Sequence, residues 1–291
     1  MKKVAVVGVP GGWSSERLAD KIEERTQFRL LVDMACVRLD LDSGRVWFED
    51  HDLSELDGMI VKKVGPAYSP GLLDRLEILD FLCQKGVRIF SRPLHIARML
   101  DRLSCTLALA QGEIPLPPTV VTEDLDEAEA AVNRFGRSVL KPLYTSKARG
   151  MAVVEPGPTL SEELANYKAS GNEVIYIQQM INLPGRDLGV VFLGGKYLAT
   201  YARVGQKGAW NTTTASGGRY QAHQPSPKII ELAERAQSLF GLDFTCVDIA
   251  ESDQGPVVFE VSAFGGFRGL QEGCGIDAAG MFAQYVLKEL G

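Results

Sequence analysis

The segment Cys246-Val-Asp-Ile-Ala-Glu-Ser-Asp-Gln-Gly-Pro-Val-Val-Phe-Glu-Val-Ser262 constrains the fold most, because it reads as two strands folded back on each other. Residues 246–250 and 256–262 are short apolar runs rich in Val, Ile and Phe, and Ser252, Asp253, Gln254 and Gly255 between them form a turn composition. The runs are expected to pair antiparallel. Alternation along a strand puts Glu260 and Ser262 on one side, and Asp248 joins them from the neighbouring strand. The set contains only oxygen donors. Hard oxygen ligands suit magnesium, which is usually held by one or two carboxylates together with nucleotide phosphates. The hairpin therefore points to ATP; the plainer alternative is a half-exposed acidic strand face.

The chain of 291 residues, 45% hydrophobic and 23% charged, has room for two or three subdomains with their own cores. A formal charge of −6 and a pI near 5.3 argue against a general phosphate-backbone binder, so no nucleic-acid partner is expected. Cys36, Cys83, Cys105, Cys246 and Cys274 are scattered without a C-x-x-C, and there are three histidines, so neither a zinc site nor a disulfide framework is expected. A reducing cytoplasm is the expected location. At the start, Gly8, Pro10, Gly11 and Gly12 interrupt the apolar run after Lys2 and Lys3, which makes it a strand and not a signal. No stretch approaches the roughly 18 apolar residues of a membrane span, so no membrane association is expected.

Residues 3–8 read as a buried strand, followed by a Gly-Pro-rich loop and a helix beginning at Ser14 or Ser15. The loop lacks the G-x-G-x-x-G pattern, and no acidic residue is placed for a ribose, which disfavours a dinucleotide site. A hairpin at 36–48, a strand at 58–64, a helix at 70–85 and a strand at 87–90 complete an α/β unit ending near Pro93. Residues 94–111 have helical spacing, and Ile114-Pro-Leu-Pro-Pro-Thr is an extended linker that no helix can cross. A second unit runs to 180, with strands at 118–122, 137–141, 151–154 and 174–178 and helices at 125–135 and 161–170. The third, 181–291, holds strands at 187–193 and 196–204, a Gly/Thr/Ser-rich stretch at 205–218, a helix at 227–240, the acidic hairpin, a Gly-rich loop at 265–275 and a last helix at 277–290.

Lys141 ends a buried strand, and the loop Tyr144-Thr-Ser-Lys-Ala-Arg-Gly150 after it is small and basic. Such a loop lets backbone N–H groups approach phosphate oxygens, with the lysine as a point charge. The competing reading is a solvated hairpin turn. Gln178 and Gln179 leave a strand where an adenine can pair with the main chain, and Asp187 is placed to take a ribose hydroxyl.

In their order, these pieces resemble the ATP-grasp superfamily and, within it, the RimK-like carboxylate–amine ligases, over most of the chain. The resemblance rests on Phe90-Ser-Arg-Pro-Leu-His-Ile-Ala-Arg-Met-Leu-Asp-Arg-Leu, Ile114-Pro-Leu-Pro-Pro-Thr, Lys141-Pro, the 144–150 loop, Gln178-Gln179, Pro184-Gly-Arg-Asp187, Leu193-Gly-Gly-Lys-Tyr, Arg203, Val247-Asp-Ile, Gly255-Pro-Val-Val-Phe-Glu-Val and Gly275-Ile-Asp277. A subgroup known as the GAK-system ATP-grasp proteins is similar too. The resemblance implies a mixed α/β and α+β fold class: an ATP-grasp fold with an N-terminal Rossmann-like domain at 1–93, a lid subdomain at 94–180 and a C-terminal subdomain with the metal site at 181–291. It also implies ATP and Mg2+ as cofactors, with Mn2+ as a substitute for the metal. By the same resemblance Lys141, Gln178, Gln179, Asp187, Asn211, Thr212 and Thr213 bind the nucleotide, and Asp248, Glu260 and Ser262 the metal. It gives Arg203 the task of orienting the substrate carboxylate or acyl phosphate, with Lys141 holding the phosphates. The implied partner is a small-molecule, peptide or protein-terminus substrate, and a homo-oligomer is compatible with this reading.

Departures from the pattern fall at the site itself. Ser262 stands where the family has asparagine, Asn211 where it has arginine, and Thr213 where it has asparagine; Thr145 and Ala148 take glycine positions, and Gly265 a proline position. The missing arginine is the larger loss, since charged fingers in phosphoryl transfer are worth ~10³–10⁵ in rate, about 4–7 kcal/mol. Lys147, Arg149, Lys207 and Arg268 are candidates to restore the charge. The readings are thus an ATP-dependent carboxylate–amine ligase; a degenerate nucleotide-binding sensor or partner, which the altered Asn211, Thr213 and Ser262 favour; and, least supported, a dehydrogenase on the first βα unit.

Overall fold

The computed structural model describes residues 1–206 and 210–291. Lys207, one of the candidate replacement charges, lies outside the described residues.

The N-terminal region carries β1 (Val4–Val7), α1 (Trp13–Thr26), β2 (Leu31–Val32), β3 (Arg38–Asp40), β4 (Arg45–Phe48), β5 (His51–Asp52), β6 (Gly58–Val61), α2 (Gly71–Gln84) and β7 (Arg88–Phe90). Strands β2-β1-β6-β7 form a parallel sheet. Its two central strands are buried at every position, as expected of parallel strands covered on both faces. The hairpin expected at 36–48 is present as β3–β4, extended by β5, which was not expected.

Residues 94–111 form two helices, α3 (Pro93–Leu100) and α4 (Arg102–Gln111), where the spacing predicts one. The break is at Asp101, whose backbone is extended and whose side chain accepts from the Leu103 N–H. This is an N-cap, and it frees the Arg102 N–H to reach the Leu143 carbonyl at 3.1 Å. Beyond the proline linker, β8 (Thr119–Thr122), α5 (Leu125–Phe135), β9 (Ser138–Leu140), β10 (Ala152–Val154), α6 (Leu160–Ala169) and β11 (Ile175–Gln179) build an antiparallel middle sheet in the order β10-β9-β11-β8. Its core of Ala128, Val132, Leu140, Leu164, Ile175 and Ile177 is its own.

The large sheet has the order β14-β13-β12-β15-β16, all antiparallel, from β12 (Arg186–Leu193), β13 (Lys196–Val204), β14 (Arg219–Ala222), β15 (Phe244–Ser252) and β16 (Gly255–Ser262). Helices α7 (Pro227–Ser238), α8 (Phe267–Cys274) and α9 (Ala278–Leu290) complete it. Helix α8 replaces the expected Gly-rich loop. Its glycines are packing requirements: a Cβ on Gly269 would come within 2.4 Å of the Tyr201 ring, and one on Gly273 within 3.2 Å of the Gln221 backbone. Burial of Phe267 and Leu270 outweighs the poor helix propensity of glycine. The N-terminal and large sheets share cores: Val4, Leu18 and Phe90 cluster with Val191, Phe244 and Phe282. Among the described residues only the middle sheet stands on a separate core, which makes it the unit attached least firmly by apolar packing.

Candidate functional site

The expected hairpin is β15–β16, and its register sets Asp248 directly opposite Glu260 and Cys246 opposite Ser262. Directly paired residues point to the same face, so both acids share one face of the sheet. A bulge follows Asp248, so that Ile249 pairs with Val258 and Phe259 is the extra residue.

Asp187 and Arg203 are register partners on β12 and β13, and Asp248 lies on the other flank of β12, opposite Gly189. Side chains on adjacent strands meet, and Arg203 gathers both acids. Its Nε donates to the Asp187 carboxylate at 3.1 and 3.2 Å, one terminal nitrogen also bonds Asp187 Oδ2, and that nitrogen lies 2.9 Å from Asp248 Oδ2. Thr212 Oγ1 donates to Asp187 Oδ1 at 2.5 Å. The cluster is largely enclosed, with side-chain exposures of 20% for Arg203, 7% for Asp187 and 13% for Asp248. Burial, together with the Glu260 and Asp187 carboxylates, holds Asp248 above the ordinary carboxylate range, against the pull of Arg203. Two acids and one guanidinium leave this cluster one negative charge in excess when both are ionised. Arg203 is thus paired with enclosed acids and not with a surface carboxylate.

Glu260 faces a second arginine that the sequence reading missed. Arg102, 8% exposed at the start of α4, has one terminal nitrogen 3.3 Å from Glu260 Oε2. Its Nε donates to the Pro142 carbonyl at 3.1 Å and its other terminal nitrogen to the Thr145 carbonyl at 3.4 Å. It therefore ties the basic loop after β9 to the acidic hairpin. The available signal was Asp101, a capping residue set inside a helical pattern. Lys141 lies beside this junction. Its Nζ donates to Gln178 Oε1 at 2.5 Å and lies 5.1 Å from the Phe259 ring centroid. Enclosure and the nearby Arg102 push Lys141 down to about 7, with Glu260 opposing. Gln178 is itself fixed, its Nε2 donating to Thr119 Oγ1 at 3.0 Å and Tyr176 OH at 3.3 Å. A cavity of about 50 Å³ sits between the hairpin and the loop, walled by Arg102, Thr145, Ser146, Glu260, Ser262 and Tyr68 among others.

The remaining residues lie apart or are engaged locally. Gln179 donates to the Phe135 carbonyl at 3.0 Å, toward α5. Asn211 Oδ1 accepts from Thr213 N at 3.1 Å and Thr213 Oγ1 at 2.8 Å. Ser262 Oγ accepts from the N–H groups of Phe264 and Gly265 at 3.3 and 3.0 Å, which occupies its lone pairs. Arg268 pairs with Glu272 at 3.5 Å and lies 5.2 Å from the Trp13 ring centroid, so it faces α1. Lys147 and Arg149 are exposed on the loop, and Lys147 and Ala148 both have positive φ, at 60° and 57°. Both stand beside Gly150, itself at φ 68°. Among the described residues no group of three or more His, Cys, Asp or Glu could hold a metal ion. The facing Asp248 and Glu260 carboxylates are nonetheless an oxygen-only pair that suits a hard cation completed by phosphate and water oxygens.

The antiparallel middle and large sheets thus hold a basic loop against a carboxylate hairpin, and comparison with known proteins gives this arrangement a family. The RimK-like ATP-grasp domain matches residues 99–286, more than half of the chain, and the chain belongs to that family. It is 26% identical to the tetrahydromethanopterin:alpha-L-glutamate ligase of Methanosarcina acetivorans, over 98% of this chain and 99% of that protein. Among solved structures, the ATP-grasp ligase PsnB, complexed with a phosphomimetic variant of its minimal precursor, Mg and ADP, superposes with a TM-score of 0.77 at 16% identity, over 100% of this chain and 99% of that one. The RimK domain ATP-grasp protein of Sphaerobacter thermophilus superposes with a TM-score of 0.75 at 24% identity, over 97% of this chain and 98% of that one. These matches support a ligase with an ATP-grasp fold. Among the described residues no helix is long and apolar enough to cross a membrane.

Proposed function

We propose that this protein is an ATP-dependent carboxylate–amine ligase acting on an amino acid, a peptide or a protein terminus. The observation that carries the reading is the pair of facing acids Asp248 and Glu260, each in contact with an arginine, at the junction with the lysine-bearing middle sheet. Asp248 and Glu260 would hold Mg2+, or Mn2+ in its place, with a water as a third oxygen, since Ser262 Oγ is already taken by the Phe264 and Gly265 N–H groups. The cation would supply charge neutralisation of the transferring phosphoryl group. Lys141, fixed by Gln178, holds the nucleotide phosphates, and its depressed basicity reverses when they arrive. Arg102, on the cavity wall, would contact the same phosphates. Asp187 and Thr212 keep Arg203 oriented toward the substrate carboxylate, and Gln179, Asn211 and Thr213 lie on segments that border the nucleotide. A substrate carboxylate oxygen forms a bond to the γ-phosphorus while the bond to the β,γ-bridging oxygen breaks, releasing ADP. The amine then attacks the acyl carbon of the resulting acyl phosphate, inorganic phosphate leaves, and the ammonium proton passes to solvent. The cavity of about 50 Å³ is smaller than a nucleotide, so binding requires the middle sheet, the lid, to swing away from the hairpin. The names of the relatives make glutamate the first amine to test, in a reducing cytoplasmic setting.

Purified protein with Mg-ATP, glutamate and a panel of carboxylate acceptors tests this by ADP release. A second reading, a nucleotide-binding partner without turnover, is favoured by Ser262 and Asn211, whose oxygens are spent on residues two or three positions further along. It predicts a thermal shift with nucleotide, about 2.7 kcal/mol at a hundredfold excess over Kd, and no ADP from any acceptor.

A further inference from the structure

Lys62, immediately after β6, is 2% exposed and forms no ion pair among the described residues. Its Nζ donates to the Phe264 carbonyl at 2.7 Å, across the boundary between the N-terminal and large sheets. The same nitrogen lies 3.9 Å from the Phe267 ring centroid and 5.8 Å from that of Phe244. An ammonium buried without a carboxylate is unfavourable, and here one carbonyl and an aromatic face offset only part of that cost, since burial still holds Lys62 down to about 7.

The carbonyl it holds belongs to the loop beyond the acidic hairpin. Ser262 Oγ accepts from the N–H of Phe264, so this residue is gripped from β16 through its own N–H and from the N-terminal sheet through its carbonyl. The loop has no slack. A Cβ on Gly265 would lie 3.1 Å from Cys246 Cβ and 3.2 Å from Ser262 Oγ, and Gly266 sits at φ 91°. Lys62 is in turn fixed by its backbone N–H, which donates to the Val7 carbonyl at 2.9 Å. A continuous path of short contacts thus runs from β1 through Lys62 and Phe264 to Ser262, two residues beyond Glu260.

We infer that Lys62 is a positioning residue: it anchors the 263–266 loop to the N-terminal sheet and so sets Ser262 and the end of β16 for the metal–nucleotide complex. This rests on the ligase reading above. Lys62 touches no reacting atom, and its effect passes through the Phe264 peptide group.

The test uses the full chain, with Mn2+ as the spectroscopic probe of metal binding. Free Mn2+ is counted by electron paramagnetic resonance in the presence of ADP, and metal-free ADP binding is measured separately by calorimetry in chelator. K62M, which keeps the apolar stem and removes the donor, is expected to weaken Mn2+ binding in the ADP complex about tenfold or more, as loss of an outer supporting contact does. Metal-free ADP affinity is expected to stay within about twofold of wild type, a split that general loosening of the fold does not give. S262A weakens Mn2+ in the same sense, and the double variant loses little beyond the larger single effect, because both act on one loop. If K62M does not fold, K62Q replaces it; its amide ends one bond short of the ammonium, and a loss of the same sign is expected. Wild-type Mn2+ affinity in the Lys62 variant, or full additivity in the double variant, overturns the inference. A wild-type chain that binds no Mn2+ with ADP instead refutes the ligase reading itself.

Discussion

Arg203 and Arg102 each neutralise one acid of the β15–β16 hairpin, but Arg203 does so from within the sheet that carries the acid, whereas Arg102 does so from a helix start that also grips another unit. Arg203 has two buried carboxylates as partners, both on strands adjacent in one hydrogen-bonded sheet. Arg102 has one carboxylate, 40% exposed, and otherwise main-chain carbonyls of the loop after β9 at 3.1 to 3.4 Å. The first arrangement cannot change without breaking the sheet. The second loosens whenever the middle sheet moves. Charge arrangement at the site is therefore built into the large sheet, and the proposed lid opening would break a latch that spans two units.

The largest effect expected is on turnover. D248N removes the charge that the proposed cation and Arg203 would share and should lower ADP release roughly 10³-fold, the scale of the several kcal/mol a metal-held charge supplies. Residual activity near wild type would break the assignment of Asp248. Stability separates the two arginines next. R203M leaves two buried acids facing without their cation and should destabilise the protein by ~3–5 kcal/mol in urea unfolding. R102M should cost about 1–3 kcal/mol, since carbonyls lose a donor but Glu260 regains water. Equal losses would erase the contrast between framework and latch.

A smaller effect comes from Lys141, pushed down to about 7 from 10.5. Between those values the unfolded chain binds more protons than the folded one, so this group's contribution to stability rises with pH across the window and is lowest below 7. The thermal midpoint of the wild type should therefore climb relative to that of K141M from pH 7 to 10, and parallel profiles would refute the shift. Phosphates draw the proton back, so nucleotide binding at pH 8 should show proton uptake in buffers of different ionisation enthalpy. Least affected are K147A and R149A. Both side chains are exposed, and each change should raise the KM for ATP less than about threefold, more at low salt. A tenfold rise in either would make that residue the replacement for the arginine absent at Asn211.

The strands that bear acids were legible because alternation and turn residues are local signals: Asp248 and Glu260 face each other as the hairpin composition predicts. Arg102 was hidden because helical spacing is continuous across Asp101, and only contact with Leu143 and Pro142, some forty residues on, shows why the helix stops there. Helix α8 was hidden for the opposite reason. Its glycines argue against a helix locally and are required by Tyr201 and the Gln221 backbone, which are distant in sequence. Gln178 was read as a nucleotide contact, and its side chain is found holding Lys141.

Taken alone, the chain determined the order of its elements, the antiparallel hairpin and its pair of acids, since periodicity and turn chemistry act over a few residues. The tertiary structure decided which charge answers which: Asp187 with Asp248 about Arg203, Glu260 with Arg102, and the Phe264 carbonyl with Lys62. Those pairings depend on sheet order and on the packing of separate units. Burial makes an unpaired charge costly, but only the assembled fold brings its partner within reach.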